Sequence, residues 1–174
     1  MLSPRSLRRQ HILIEKIFVT LGTHPQQFNR LLEEIDFLIE KKIIIGKVFC
    51  QTGYSDYLPK NFSSKKFLGL DEFEKKIKEA ELIITHAGEG NIGLCKNLGK
   101  KMIVVPRRKE FGEHTNDHQL ELAGVVEKKK LGLVAWQIQE LGKNILKINE
   151  FKQTNIPRGK INELLEKFVG ENFS

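Results

Sequence analysis

The stretch Leu82-Ile83-Ile84-Thr85-His86-Ala87-Gly88-Glu89-Gly90-Asn91 decides the reading of the fold. An apolar run of strand length breaks into a glycine-punctuated turn and then into a helix-compatible segment, the order in which α/β proteins build anion sites. Amide N–H groups at a helix N-terminus have no intrahelical acceptor, and the helix dipole favours negative charge there. Gly88 and Gly90 remove the side chains that would hold a phosphate at a distance. Taken alone the G-x-G pattern is weak, because a glycine turn after a strand is often only a tight turn.

A second stretch of the same form follows. Lys101-Met102-Ile103-Val104-Val105-Pro106 reads as another buried strand and runs into Arg107-Arg108-Lys109-Glu110-Phe111-Gly112-Glu113-His114-Thr115-Asn116-Asp117-His118-Gln119. A solvated loop tolerates such residues but does not require this density of hydrogen-bonding groups. At the carboxyl end of a strand, where open α/β sheets bind ligands, the stretch reads as ligand-facing.

Working outward, Ile17 to Leu21 reads as a first strand leading through Gly22-Thr23-His24-Pro25 into a helix. Phe28, Leu31, Leu32, Ile35, Leu38 and Ile39 have helical spacing, and Pro25 fits the first turn. Ile43 to Cys50 gives a second strand, followed by a polar loop from Gln51 to Ser64 and a short strand from Lys66 to Leu70. Asp71 and Glu74 form a capping-box pattern for a helix through Phe73, Ile77 and Ala80. Strands from Leu82 and Met102 and near Leu133 to Trp136 then alternate with helices from Gly90, from Thr115 and through Leu141, Ile145 and Leu146. Ile161 to Val169 reads as an amphipathic helix after the Pro157-Arg158-Gly159 break. The alternation predicts an α/β protein with a Rossmann-like parallel sheet of about six strands and helices on both faces.

The 174 residues, 40% of them hydrophobic, suit a single domain with a real core. The expected division is a basic N-terminal arm over 1–15 and one domain over 16–174. No apolar segment approaches the ~20 residues that span a bilayer, and no signal-peptide pattern is seen, so a cytoplasmic location is expected. Cys50 and Cys95 read as core residues, and the five histidines lack metal-ligand spacing, so no metal and no cofactor are expected. The net charge of +7 is clustered at Arg5 to His11, Arg107 to Lys109 and Lys128 to Lys130. It suits a phosphate-rich partner, either anionic headgroups or a pyrophosphate-bearing substrate. Nucleic acid is disfavoured, because no helix-turn-helix, zinc-finger or RNA-binding-sheet signature is present. A solvated surface remains an alternative for Lys128 to Lys130.

Three motifs stand in order: Val19-Thr20-Leu21-Gly22-Thr23, Thr85-His86-Ala87-Gly88-x-Gly90, and Val104-Val105-Pro106 leading to Asn116-Asp117-His118-Gln119-Leu120-Glu121-Leu122-Ala123. Together they resemble the C-terminal, donor-binding half of GT-B glycosyltransferases. The likeness runs from Lys16 to Leu133 and extends to stand-alone half-enzymes: the PssE-like exopolysaccharide subunits and the soluble subunit of the two-part dolichol-linked N-acetylglucosamine transferase. A more distant likeness is to the C-terminal domain of MurG. Thr23-His24-Pro25-Gln26 and Pro106-Arg107-Arg108-x-x-Phe111-Gly112-Glu113-His114 resemble the PssE branch. Two positions depart from the pattern. Leu94 stands where many members carry a ribose-binding glutamate, for which Glu113 is the nearest substitute, and Asn29 stands where an aspartate is common.

The resemblance implies a UDP-sugar donor, a polyprenyl-pyrophosphate-linked acceptor, inversion at the anomeric carbon and no metal. The absence of an Asp-x-Asp agrees with the last point. His86, Ala87, Gly88, Gly90 and Asn91 would receive the diphosphate on backbone N–H groups, with Asn91 as a candidate cap; the alternative is a structural turn. Gly22 and Thr23 would line the same crevice or simply cap a helix. Arg107 would pair bidentately with phosphate, while Arg108 and Lys109 suit a solvated charge run. Asn116, Asp117 and Gln119 would face sugar hydroxyls, although capping alone explains one of them, and His118 suits a buried helix position equally well. Glu113 and His114 are candidates for the ribose or sugar. His24 is a candidate for sugar contact or general base, though a base must reach an acceptor whose domain is missing here. The reading is therefore a donor-binding, catalytic subunit of a hexosyltransferase that works with a membrane-anchored, PssD-like acceptor-binding partner, making peripheral membrane contact from the cytoplasmic side. The helix from Ile161 to Val169 is the candidate docking element. The alternative is a regulatory nucleotide or nucleotide-sugar binding module without turnover.

Overall fold

The computed structural model describes residues 13–173, with side chains described as far as Lys167. Most of the expected basic arm therefore lies outside the described residues. Its last part belongs to the domain: Ile14 is buried in the core, and the Glu15 carbonyl accepts a hydrogen bond from the Lys47 amide.

Six parallel strands form one sheet in the order β3-β2-β1-β4-β5-β6. They are β1 (Lys16–Thr20), β2 (Lys47–Gln51), β3 (Ser63–Lys65), β4 (Leu82–His86), β5 (Lys101–Val105) and β6 (Leu133–Val134). Six helices are described among these residues: α1 (Asn29–Glu40), α2 (Leu70–Glu79), α3 (Glu89–Asn97), α4 (His118–Lys128), α5 (Glu140–Lys147) and α6 (Lys160–Phe173).

The strands read as unbroken apolar runs because both sheet faces are covered. Ile17, Val19, Ile84, Ile103 and Val105 pack with Leu31, Ile35 and Leu38 of α1 and Leu141 and Ile145 of α5. Phe18, Ile83, Met102 and Val104 pack on the other face with α2, α3, α4 and α6, through residues such as Ile77, Ile92, Val126 and Leu165. The α6 helix spends Ile161 and Leu165 on this core, and a Cβ on Gly93 of α3 would lie 2.2 Å from Asn162 Oδ1. Its described apolar face is thus turned to its own domain, which removes Ile161 and Leu165 from the expected docking surface.

Several boundaries differ from the sequence expectation. Pro25 lies in the loop ahead of α1, whose N-cap is Phe28. The second strand starts at Lys47, because Ile43 to Gly46 form the turn that follows α1. The third strand lies at Ser63–Lys65, before the expected Lys66. The α2 helix is entered from Gly69 without a side-chain cap, so Asp71 sits in the first turn and the capping box does not form.

The loop after β2 is fastened to α1 by a buried carboxylate. Asp36 accepts from Tyr57 Oη at 2.8 Å, from the Lys60 and Asn61 amides at 2.8 and 2.9 Å, and from Asn61 Nδ2 at 3.1 Å. Such a carboxylate is tolerated in the core because donors meet both oxygens.

Candidate functional site

The chain runs outward from β1 to β2 and β3, then returns to place β4 on the other side of β1. At this switch point the loops leaving β1 and β4 diverge, the place where open α/β sheets bind ligands. The turn after β4 enters α3 through Gly88, an extended N-cap (φ −91°, ψ 132°) with no side-chain capping bond. The amides of Glu89, Gly90 and Asn91 consequently find no acceptor among the described residues. Gly90 is exposed, and a Cβ placed on it would meet nothing within 4 Å. Three N–H groups at the positive end of a helix are therefore left without an acceptor, beside an exposed Gly90. Asn91 does not cap this helix. Its Nδ2 reaches Thr20 Oγ1 at 3.5 Å and Thr85 Oγ1 at 3.4 Å, joining the ends of β1 and β4.

Gly88 and Gly22 are required for a reason the sequence did not show. A Cβ on Gly88 would lie 2.2 Å from His86 Nε2, and one on Gly22 would lie 2.6 Å from both Nε2 and Cε1 of the same ring. Gly22 also has φ +77°, a backbone conformation that glycine adopts most readily. The buried His86 imidazole fills the space between the two turns. Burial, and then the charge of Arg107, push its pKa down from the ordinary 6.5 to about 3, so the ring is neutral.

Arg107 does not face the crevice. It is fully buried, and its guanidinium donates to the carbonyls of Leu21, Gln26, Gln27 and Glu113. Burial lowers its pKa to about 10, which leaves it charged at neutral pH. With its donors spent on carbonyl oxygens, it fixes the loop after β1 instead of holding phosphate. Glu113 is likewise buried and committed: its carboxylate takes Arg30 Nε at 2.9 Å, Arg30 Nη2 at 3.0 Å and the Arg108 amide at 3.0 Å. It is therefore not placed to receive a ribose, and neither Leu94 nor Glu113 fills that role. Gln119 is buried, and its Oε1 accepts from the Ala87 amide at 3.2 Å and the Arg107 amide at 3.0 Å, joining the turns after β4 and β5.

The outer residues are more open. His24 and His114 are half-buried and stack with ring centroids 4.1 Å apart. Burial, then His24 and Arg107, lower the His114 pKa. Among the described residues no carboxylate hydrogen-bonds to His24, whose Nδ1 is buried without a partner there. Thr23, Asn116 and Asp117 are exposed. Asn116 Oδ1 accepts from the His118 amide and Asp117 Oδ1 from the Lys109 amide, so each has a local turn role. Among the described residues no cluster of three or more His, Cys, Asp or Glu is placed to hold a metal ion.

Two features escaped the sequence reading. Tyr54 and Phe67, exposed and edge-to-face at 5.2 Å, flank the ends of β2 and β3, while the Gly53 backbone abuts the Gly22 carbonyl. A glycine followed by an aromatic at a strand end was the available signal. Asn29, the second departure from the pattern, accepts from the Asp56 and Tyr57 amides and donates to the Asp56 carboxylate. An aspartate there would face Asp56 as a like charge.

A parallel sheet with helices on both faces and an uncapped helix N-terminus at its switch point defines a Rossmann-like α/β domain. Residues 16–170 match the glycosyltransferase family 28 C-terminal domain, and the chain belongs to that family. Over 127 residues it is 31% identical to the human UDP-N-acetylglucosamine transferase subunit ALG13, a match that covers 65% of this chain and 10% of that protein. The mouse counterpart is 28% identical over 123 residues, covering 67% and 10%. The chain thus spans about a tenth of the length of these curated relatives. Among solved structures, an NMR structure of ALG13 aligns with a TM-score of 0.60 at 17% identity, over 94% of this chain and 99% of that one. MurG of Acinetobacter baumannii aligns with a TM-score of 0.51 at 18% identity, over 94% and 52%. No described helix is long and apolar enough to cross a membrane.

Proposed function

We propose that this chain is the donor-binding subunit of a two-component inverting hexosyltransferase that moves a sugar from a UDP-sugar to a polyprenyl-pyrophosphate-linked acceptor. The observation that carries the reading is the uncapped start of α3, where the amides of Glu89, Gly90 and Asn91 have no acceptor at the strand switch point and Gly90 is exposed. The diphosphate rests there and needs no metal, because N–H donors and the helix dipole neutralise the leaving group. The exposed Tyr54–Phe67 pair gives the uracil an aromatic surface at the β2 side. Asn116, Asp117 and His114 border the sugar. The uridine assignment is supported by the named activity of the human and mouse relatives.

Among the described residues neither His24 nor His114 hydrogen-bonds a carboxylate that would make it a strong base. In this reading a membrane-anchored partner supplies the acceptor site and the base and brings this chain to the cytoplasmic face of the membrane. Calorimetry with UDP and UDP-N-acetylglucosamine, with and without chelator, tests the donor site. Chelator-insensitive binding is expected, and no binding of any nucleoside diphosphate at millimolar concentration overturns the reading. Transfer to a polyprenyl-pyrophosphoryl acceptor should require co-expression with the partner. Binding without transfer in that complex would favour a regulatory binding module.

A further inference from the structure

The structure assigns His86 a part in the donor site that differs from ligand contact: its imidazole is a spacer that sets the distance between the turn after β1 and the turn after β4, and so fixes where the α3 amides stand. This positioning role rests on the donor-site reading above. Gly22 and Gly88 come from turns on different strands, yet a Cβ on either would strike the same ring, at 2.6 and 2.2 Å. The ring lies at the end of β4, with Nδ1 3.4 Å from Thr85 Oγ1.

The other joints between these turns act at their margins. Arg107 holds Leu21, Gln26 and Gln27 from below, Gln119 holds Ala87, and Asn91 meets Thr20 and Thr85 only at 3.5 and 3.4 Å. His86 alone among these fills the gap between the two glycines. Such a spacer has to be uncharged. Arg107, His24 and His114 bring positive or titratable charge towards it, and a protonated ring has no carboxylate to meet. A phosphate ligand would behave oppositely, because an approaching anion favours the imidazolium form.

Two measurements separate spacer from ligand. In the first, ring nitrogen shifts of His86 are followed by NMR from pH 7.5 to 5 in the free protein and with saturating UDP. The spacer predicts a neutral ring in both, whereas protonation near pH 6 on adding UDP overturns it. In the second, UDP affinity is measured for His86→Asn, for Gly88→Ala and for the double variant. His86→Asn should weaken UDP binding roughly tenfold or more, the scale on which ångström-sized misplacements act. Gly88→Ala should lower the melting temperature, and adding His86→Asn should restore part of that loss because the colliding ring is gone. Unchanged UDP affinity in His86→Asn, or additive losses in the double variant, overturn the spacer. Failure of wild-type protein to bind UDP defeats the donor-site reading instead, while the Gly88–His86 coupling and the free-protein titration still test the packing.

Discussion

Replacing Arg107 by methionine separates a structural clamp from a phosphate ligand. The guanidinium is fully buried and donates to the carbonyls of Leu21, Gln26, Gln27 and Glu113, at distances from 2.5 to 3.3 Å. Hydrogen bonds to a charged group contribute about 1.5–3 kcal/mol, and a buried carbonyl left without a donor costs about 1–3 kcal/mol. Methionine avoids the cost of burying a cation, which offsets part of the loss. The net effect is about 3–5 kcal/mol, on the scale of two buried carbonyls left without a donor. For a domain of this size each kcal/mol corresponds to about 2–4 °C, so Arg107→Met should melt about 6–20 °C below wild type. Arg107→Lys should recover little, because one ammonium cannot span carbonyls that the planar fork reaches in separate directions. Thermal and urea unfolding, paired with UDP calorimetry well below the melting point, provide the assay. A variant that melts within about 2 °C of wild type yet loses diphosphate binding would show that Arg107 is a ligand after all.

Acid should weaken the fold through His86. Its pKa falls to about 3 in the folded state against 6.5 in an ordinary setting, so the unfolded chain binds the extra proton between these values and stability is lost as pH falls. From pH 7.5 to 5 the cost is about 2 kcal/mol, and His114, also lowered, acts in the same direction. Urea midpoints across this range check it, and a His86→Asn protein with an equally steep pH dependence would refute the assignment. Valine at Gly90 should leave the melting temperature nearly unchanged and weaken UDP binding, because its side chain enters open space over the α3 amides. Valine at Gly88 should lower stability first, because it meets the His86 ring; equal thermal losses at the two positions would contradict this division.

The sequence by itself determined the layered α/β class and the glycine turns that end β1 and β4. Apolar runs such as Leu82–His86 and Lys101–Val105, each followed by a helical period, leave few arrangements other than a parallel sheet covered on both faces. The glycines after β4 marked the helix N-terminus correctly, because local backbone chemistry is written locally. What the side chains there do was decided by tertiary structure. Gly88 and Gly90 look alike in sequence, yet one faces a buried ring and the other faces solvent. Arg107 and Glu113 read as ligands in a polar loop. Carbonyls from the turn after β1 and the guanidinium of Arg30 on α1, distant in sequence, claim their charges instead. Strand periodicity depends on neighbours along the chain, whereas the partners of a buried charge depend on which loops the sheet order brings together. For that reason the strands and turns around the candidate site were legible in the sequence, and the partners of its side chains were not.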